Sequence, residues 1–435
     1  MNKKIEHSSG LLTRTQGFIR TLLNDYHPRD FTIQFWDKSE WRSEEDPPRF
    51  TLVLNHPGAL RSMLRNLSSD LTIGEAYIYD DFDIEGDIEA IYPVAEYLAS
   101  QDMNLMKRLR LGWDLLQLPS EQRTRQGFRK AANVGGQPHS IERDREAVTY
   151  HYDVSNDFYA LWLDRHMVYS SGYFEARDED LDTAQERKLD ILCRKLRLEP
   201  GERLLDIGCG WGGLVIFAAQ NYGVDALGIT LSEPQAELAN ERIQRAGLES
   251  RCRVEVLDYR EMEEPEGFDK LVSVGMFEHV GEALLPTYFQ LARKILRPRG
   301  VFLNHGMATN INNTRPKDLS FNNRYVFPDG ELVPIHTTLQ HAEECGFEVR
   351  DVECLREHYA LTLRHWVNRL EASHQEALNF VDEPTYRIWR LFMSGSAYGF
   401  QIGWNNVYQT LLLKSDKGES DLPLTRADWY SGLTN

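Results

Sequence analysis

The segment LLDIGCGWGGL, residues 204–214, restricts what this chain can fold into more than any other stretch. An apolar run ends in an acid, and glycines follow at 208, 210 and 213, the pattern of a strand, a tight turn and a helix start. Glycine is needed there because the backbone must turn sharply and admit a ligand with no Cβ in the way. From about residue 183 onward, helices and strands alternate. TAQERKLDILCRKLRL opens with a capping pattern from Thr183 to Glu186 and runs as an amphipathic helix. The strands RLLDIG, DALGIT, RVEVLD, KLVSVGM and GVFLNHGM follow, with Ser232 and Gln235 capping one intervening helix and Gly247 stopping it. The succession predicts an α/β fold with a doubly wound parallel sheet and a ligand at the carboxyl ends of its strands.

Glycines at this spacing serve NAD(P), FAD and S-adenosylmethionine alike, so the loop alone does not select the ligand. Asp206 stands at the strand tip, two residues before the first glycine. A carboxylate there repels a pyrophosphate but accepts hydrogen bonds from the ammonium end of S-adenosylmethionine. A dinucleotide site also wants an acid near the end of the second strand, where this chain reads Gly228–Ile229–Thr230–Leu231–Ser232. The residues therefore favour a methyltransferase, with a dinucleotide enzyme and a non-catalytic fold as the open alternatives.

The first hundred residues read as a small α+β unit. FTIQFWD (31–37) and FTLVLN (50–55) are strands, 57–67 a short helix, 71–86 an extended segment, and 87–100 a closing helix. Residues 103–118 place Met106, Leu109, Trp113 and Leu116 on one helical face and Lys107, Arg110 and Asp114 on another. Such a face either packs on a neighbouring domain or meets anionic lipid. Between 105 and 130 seven Lys/Arg stand against two acids, inside a chain whose net charge is −18. That overall charge argues against nucleic acid as a partner. The polar stretch 119–140 reads as a linker. The expected division is 1–102, 103–142 and 143–435. No apolar run approaches the roughly 18–20 residues that span a bilayer, and the N-terminus lacks a secretory pattern. Five cysteines without a CxxC make a disulfide framework or a metal site an unlikely use of them, and the expectation is a reducing cytoplasm.

Five stretches occur in the order found in the cyclopropane-fatty-acyl-phospholipid synthases and the related mycolic acid cyclopropane synthases. They are HYDVSNDFYALWLDRHMVYSSGYF (151–174), LLDIGCGWGGL, GITLSEPQ (228–235), VSVGMFEHVG (272–281) and FLNHGMA (302–308). The chain resembles that family strongly over about 140–415 and more loosely before it. The resemblance implies a seven-stranded, S-adenosylmethionine-dependent methyltransferase fold with a smaller N-terminal α+β domain that binds lipid. It implies methyl(ene) transfer to the cis double bond of an acyl chain in membrane phospholipid, forming a cyclopropane. The alternative is a methylene- or methyl-branched chain on the same lipids. It further implies a homodimer, peripherally bound to the inner face of the membrane.

By the same resemblance, Tyr169 and Ser170, the loop with Gly208, Cys209, Gly210 and Gly212, then Thr230, Ser232 and Gln235, and Tyr259 with Arg260 contact the cofactor alongside Asp206. Thr230 and Gln235 replace the absent ribose-binding acid. A bound bicarbonate is the family's base, and the matching positions are Glu278, His305, Tyr359, the backbone of Met307, and Ser171. Glu278 and His305 also follow apolar strands, where an α/β enzyme puts its chemistry. A dry pocket is required, with Tyr173, Phe174, Phe277, Tyr325, Phe327, Tyr359 and Trp366 as candidate walls. Two positions depart from the family: Ser171 and Ser396 stand where relatives carry cysteine. A serine at 171 still offers one hydrogen-bond donor to an anion.

Overall fold

The computed structural model describes residues 2–431 except 67–68, 102–104, 121–126, 128, 130, 133–134, 138, 153 and 313–319. Much of the expected linker at 119–140 therefore lies outside the described residues. The chain forms two compact units, one of Met1–Ala131, Pro316–Val326 and Val381–Tyr398, the other of Ala132–Arg315, Phe327–Phe380 and Gly399–Asn435.

In the first unit, β1 (Phe31–Gln34), β2 (Glu40–Trp41), β3 (Phe50–Leu54) and β4 (Phe82–Gly86) make a sheet in the order β2-β1-β3-β4. Phe31 and Phe50 face each other across the parallel β1/β3 pair and stack at 4.9 Å, which fixes the register. The extended reading of 71–86 is corrected here, since Asp70–Ile78 is a helix and only 82–86 is a strand. Threonine, isoleucine and tyrosine suggest a strand locally, but burial of Gly74, Ala76, Tyr77 and Ile78 decides the outcome. A Cβ on Gly74 would stand 2.3 Å from the Phe321 ring, so this packing depends on a residue some 250 positions away. Helix Glu383–Gln401 contributes Arg387 to the Tyr77 carbonyl and Asp83, and Arg390 to the Tyr77 hydroxyl.

The second unit is built on a seven-stranded sheet. Its strands are β5 (Arg203–Ile207), β6 (Asp225–Thr230), β7 (Cys252–Val256), β8 (Phe268–Val274), β9 (Leu296–Thr309), β10 (Glu348–Cys354) and β11 (Asn405–Leu413). They run in the order β10-β11-β9-β8-β5-β6-β7. All neighbours are parallel except β11, which is antiparallel to both β9 and β10. Successive side chains of β5 serve opposite faces. Leu204 joins the core with Leu189, Leu192 and Val215, whereas Leu205 joins Phe289, Phe302 and Phe347. The central strands, covered on both faces, are mostly apolar, whereas the edge strands β7 (CRVEV) and β10 (EVRDVEC) carry charged, exposed positions.

Helix Leu181–Leu196 begins earlier than the capping pattern indicates. Asp180, not Thr183, is the cap, and its carboxylate accepts the Thr183 N–H at 3.2 Å. Leu181 is fully buried, which draws the first turn into the core. Helix Glu233–Arg245 is capped by Ser232 as read, and Gly247 follows with φ +66°. The sheet order reverses between β5 and β8, so a crevice opens at the carboxyl ends of these strands, where such folds bind their ligand, and it extends over β6.

Candidate active site

The loop after β5 turns at Gly208 with φ +84°, and a Cβ there would stand 2.6 Å from that of Met276. Glycine is therefore demanded twice over, by conformation and by space. The Gly208 and Cys209 N–H groups both donate to the Ile229 carbonyl, which ties the loop to β6. The crevice is lined by Tyr169, Ser170, Asp206, Gly208, Cys209, Gly210, Thr230, Gln235, Tyr259 and Arg260, all expected from sequence. Gly212 and Ser232 are not among its lining residues. Ser232 is occupied as a helix cap, and Gly212 precedes the helix Gly213–Tyr222.

Asp206 is buried, and its Oδ1 has no hydrogen-bond partner among the described residues. Burial pushes its carboxyl up to about 7, and nearby Lys188 opposes that rise. Lys188 was not legible in the sequence, because its place on helix Leu181–Leu196 reads as an ordinary charged position. It is buried, donates to the Ser170 hydroxyl at 3.0 Å, and is brought down to about 8 by burial, against the pull of Asp164 and Asp206. Gln185, one turn earlier, donates to the Ser170 carbonyl at 2.8 Å, so this helix fixes the backbone of the YSSGYF loop.

Thr230 donates to Gln235 Oε1 at 2.8 Å, which turns the Gln235 amide N–H groups outward. Asp258 also lines the crevice and was missed, although it stands just past β7 much as Asp206 stands near the end of β5. Its carboxylate accepts the Arg260 N–H and Nε–H at 2.8 Å each, and Arg260 reaches on to Asp144 at 2.9 Å and the His139 carbonyl at 3.0 Å. Arg260 thus braces the entry of helix Ile141–Tyr152.

Beyond the crevice stands an aromatic cluster. The Tyr169 ring has those of His151, Tyr152, Tyr159, Trp162 and Trp366 at 5.6, 6.2, 5.8, 5.5 and 5.2 Å. Phe327 stacks on His151 at 3.9 Å, and Tyr359 lies 6.0 Å from Trp366. The other expected wall residues face elsewhere. Tyr173 donates to Glu353, Phe174 stacks on His365, Phe277 joins the core with Tyr288, and Tyr325 belongs to the first unit.

Glu278 follows β8 and His305 stands in the last third of the neighbouring β9; neither is among the residues lining the crevice. The Gly275 N–H donates to the His305 carbonyl at 2.9 Å, and the Met307 N–H donates to Glu278 Oε1 at 2.6 Å. Both side chains are buried, and neither Glu278 Oε2 nor His305 Nε2 has a partner among the described residues. Burial pushes the Glu278 carboxyl up to about 7. His305 is held well below the usual histidine range by burial, with Lys188 and Lys195 adding to the effect. The Tyr359 hydroxyl is pushed up by burial, and by Glu278 and Tyr152 nearby. Ser171 is fully buried, and its hydroxyl donates to the Gly172 carbonyl at 3.0 Å.

A glycine loop at the sheet's switch point, an unpaired carboxylate above it and this strand order define a class I S-adenosylmethionine-dependent methyltransferase. Residues 139–410 match the family model described as mycolic acid cyclopropane synthetase, and residues 18–107 match a domain of unknown function. The chain belongs to the mycolic acid cyclopropane synthetase family.

It is similar to a probable fatty acid methyltransferase of Pseudomonas putida, 40% identical over 402 residues, covering 92% of this chain and 95% of that one. It is 37% identical over 254 residues to the cyclopropane-fatty-acyl-phospholipid synthase of Escherichia coli K12, covering 58% of this chain and 63% of that one. Among solved structures, the mycolic acid cyclopropane synthase CmaA1 complexed with SAH and CTAB matches with a TM-score of 0.59 and 33% identity, over 62% of this chain and 98% of that one.

Proposed function

We propose that the protein joins a one-carbon unit from S-adenosylmethionine to the cis double bond of an unsaturated phospholipid acyl chain, giving a cyclopropane. The observation that carries this reading is that two buried polar atoms, Glu278 Oε2 and His305 Nε2, have no partner among the described residues, with the Tyr152 and Tyr359 hydroxyls, already raised by burial, near enough to Glu278 to be raised further by its charge. A simple methyl transfer to a nitrogen or oxygen nucleophile has no need of a dry aromatic wall or of an anion-binding pair.

S-adenosylmethionine, when bound, supplies an electrophilic methyl carbon. The lone Oδ1 of Asp206 fits its ammonium group, and the open space over Gly210 lets the backbone approach it closely. Gln185 and Lys188 hold Ser170 and so fix the backbone that carries Tyr169, which lines the crevice. An alkene is a weak nucleophile, so alignment has to supply much of the rate. Attack leaves positive charge on the acyl chain, which the faces of Tyr169, Trp366 and Tyr359 stabilise while excluding water. Ring closure then needs a proton removed from the transferred carbon.

A bicarbonate would supply that base. Glu278, its pKa raised by burial to about 7, is partly protonated near neutral pH and in that form would offer a hydroxyl to it, with His305 and Tyr359 as further donors. Met307 contributes by fixing Glu278, since its N–H is already given to Oε1. Ser171 is assigned to this site by the family resemblance, and its hydroxyl is given to the Gly172 carbonyl.

The lipid is met at a surface. On helix Leu105–Leu116 the side chains of Met106, Leu109, Trp113 and Leu116 are all at least 60% exposed, and Arg110 is exposed beside them. Among the described residues no helix is long and apolar enough to cross a membrane. An apolar stripe flanked by bases in an otherwise acidic chain fits an anionic bilayer surface, at the inner face of the cytoplasmic membrane. The expected assembly is a homodimer, to be tested by sedimentation.

Mass spectrometry of lipids from cells expressing the protein tests the reaction. A gain of one CH2 with loss of the double bond is expected. The same gain with the double bond retained overturns the cyclopropane reading.

A further inference from the structure

A polar chain runs inward from half-buried Tyr173 to fully buried His305. The Tyr173 hydroxyl donates to Glu353 Oε1 at 3.1 Å, and the other carboxylate oxygen of Glu353 is paired with Lys195. Lys195 donates to Gln409 Oε1 at 2.7 Å. Gln409 Nε2 lies 3.3 Å from His305 Nδ1, and the two residues are direct register partners across β11 and β9. Lys195, Gln409 and His305 are each about 1% exposed.

An amide usually leaves the placement of its oxygen and nitrogen open, but here chemistry closes the choice. An ion-paired ammonium has hydrogens to give and no lone pair, so it meets only the amide oxygen. The amide NH2 is thereby turned to His305 and donates to Nδ1. A neutral imidazole that accepts at Nδ1 carries its proton at Nε2. Burial and the neighbouring lysines keep this ring neutral.

We infer that Gln409, clamped by Lys195 and Glu353, is a positioning residue that locks His305 as the Nε2–H tautomer, so that it presents a donor to an anion beside Glu278. This rests on the proposed function for the place of His305 at the anion site, whereas the tautomer itself follows from the clamp alone. The Tyr173 of YSSGYF thus acts through Glu353 rather than as a pocket wall.

The test is a long-range 1H–15N spectrum of the full chain labelled with 15N-histidine, with the His305 signals assigned by their loss in His305→Asn. The expected wild-type result is an Nε2–H tautomer. Gln409→Glu keeps the size and the Lys195 contact but accepts from Nδ1, so His305 is expected to switch to Nδ1–H or to the imidazolium. Turnover should then fall roughly tenfold or more, as for other wrong-tautomer histidines, with S-adenosylmethionine affinity unchanged. An Nδ1–H or doubly protonated ring in the wild type overturns the inference, and that reading stands even if the variant fails to fold. Lys195→Met frees the amide to flip, and a mixed tautomer population is expected; an unmixed Nε2–H signal counts against the clamp. A tautomer that switches while turnover holds supports the clamp and removes His305 from the proposed anion site.

Discussion

Glu278 Oε1 accepts the Met307 N–H at 2.6 Å while Oε2, on the same buried carboxyl, has no partner among the described residues. One oxygen anchors the side chain to β9, and the other is left for a ligand. A carboxyl used purely to tie a turn to a strand would have both oxygens satisfied or its free one in water.

Glu278→Gln keeps the bond from Met307 and removes the titration. The folded carboxyl lies at about 7 against 4.5 for an ordinary glutamate, so the native state holds this proton more tightly than the unfolded chain. Its contribution to stability is therefore complete below about pH 4.5 and is lost as pH rises through 7, by about 3 kcal/mol. The variant should melt higher than wild type at pH 8 and similarly at pH 5, with turnover down roughly hundredfold. Parallel melting curves across that range refute the assignment.

Asp206→Asn should weaken S-adenosylmethionine binding by roughly 10- to 150-fold, the worth of one charge-assisted hydrogen bond. Isothermal titration calorimetry reads it directly, and a folded variant with wild-type affinity would remove Asp206 from the cofactor's contacts.

At position 171 the serine hydroxyl is given to its neighbour's carbonyl. Ser171→Ala should cost about 1 kcal/mol of stability and lower kcat severalfold, with KM for S-adenosylmethionine unaltered. Ser171→Cys installs the residue that the family resemblance implies there and should change the rate. Unchanged rate and product in both variants would separate position 171 from the base site.

Leu109 and Trp113 are 62% and 65% exposed, so replacing both with alanine should leave the melting temperature within a degree or so. Sedimentation with phosphatidylglycerol vesicles should nevertheless show at least about tenfold weaker binding, since each buried apolar side chain is worth about 1.5–3 kcal/mol. Wild-type protein should release from such vesicles with salt and bind phosphatidylcholine weakly. Equal binding to both lipids, or no effect of the double substitution, counts against this face.

Much of the second unit could be read from residue order. β5 to β9 lie where their apolar runs stand, because a strand covered on both faces has little choice of composition. Gly208 and Asp206 line the crevice because ligands bind at strand ends in this fold class, whereas Glu278 and His305 are assigned by the family resemblance, with their place after apolar strands as support. Local pattern failed at Asp70–Ile78, where strand-favouring side chains form a helix because Phe321 packs on Gly74.

It failed also for Lys188, Lys195, Asp258 and Gln409. Lysines at helical spacing and a glutamine in a late strand read as solvated surface. They become parts of a site only when β11 inserts between β9 and β10 and helix Leu181–Leu196 packs over the sheet. Sequence alone determined the strands β5 to β9, the glycine turn and the place of Asp206 beside it, since those depend on neighbours a few residues away. Folding brought the charged side chains that orient Ser170 and His305 to within 3.3 Å of their partners, across as many as 214 residues of chain. Such contacts leave no local trace, because a buried lysine and an exposed one are the same letter until its surroundings are built.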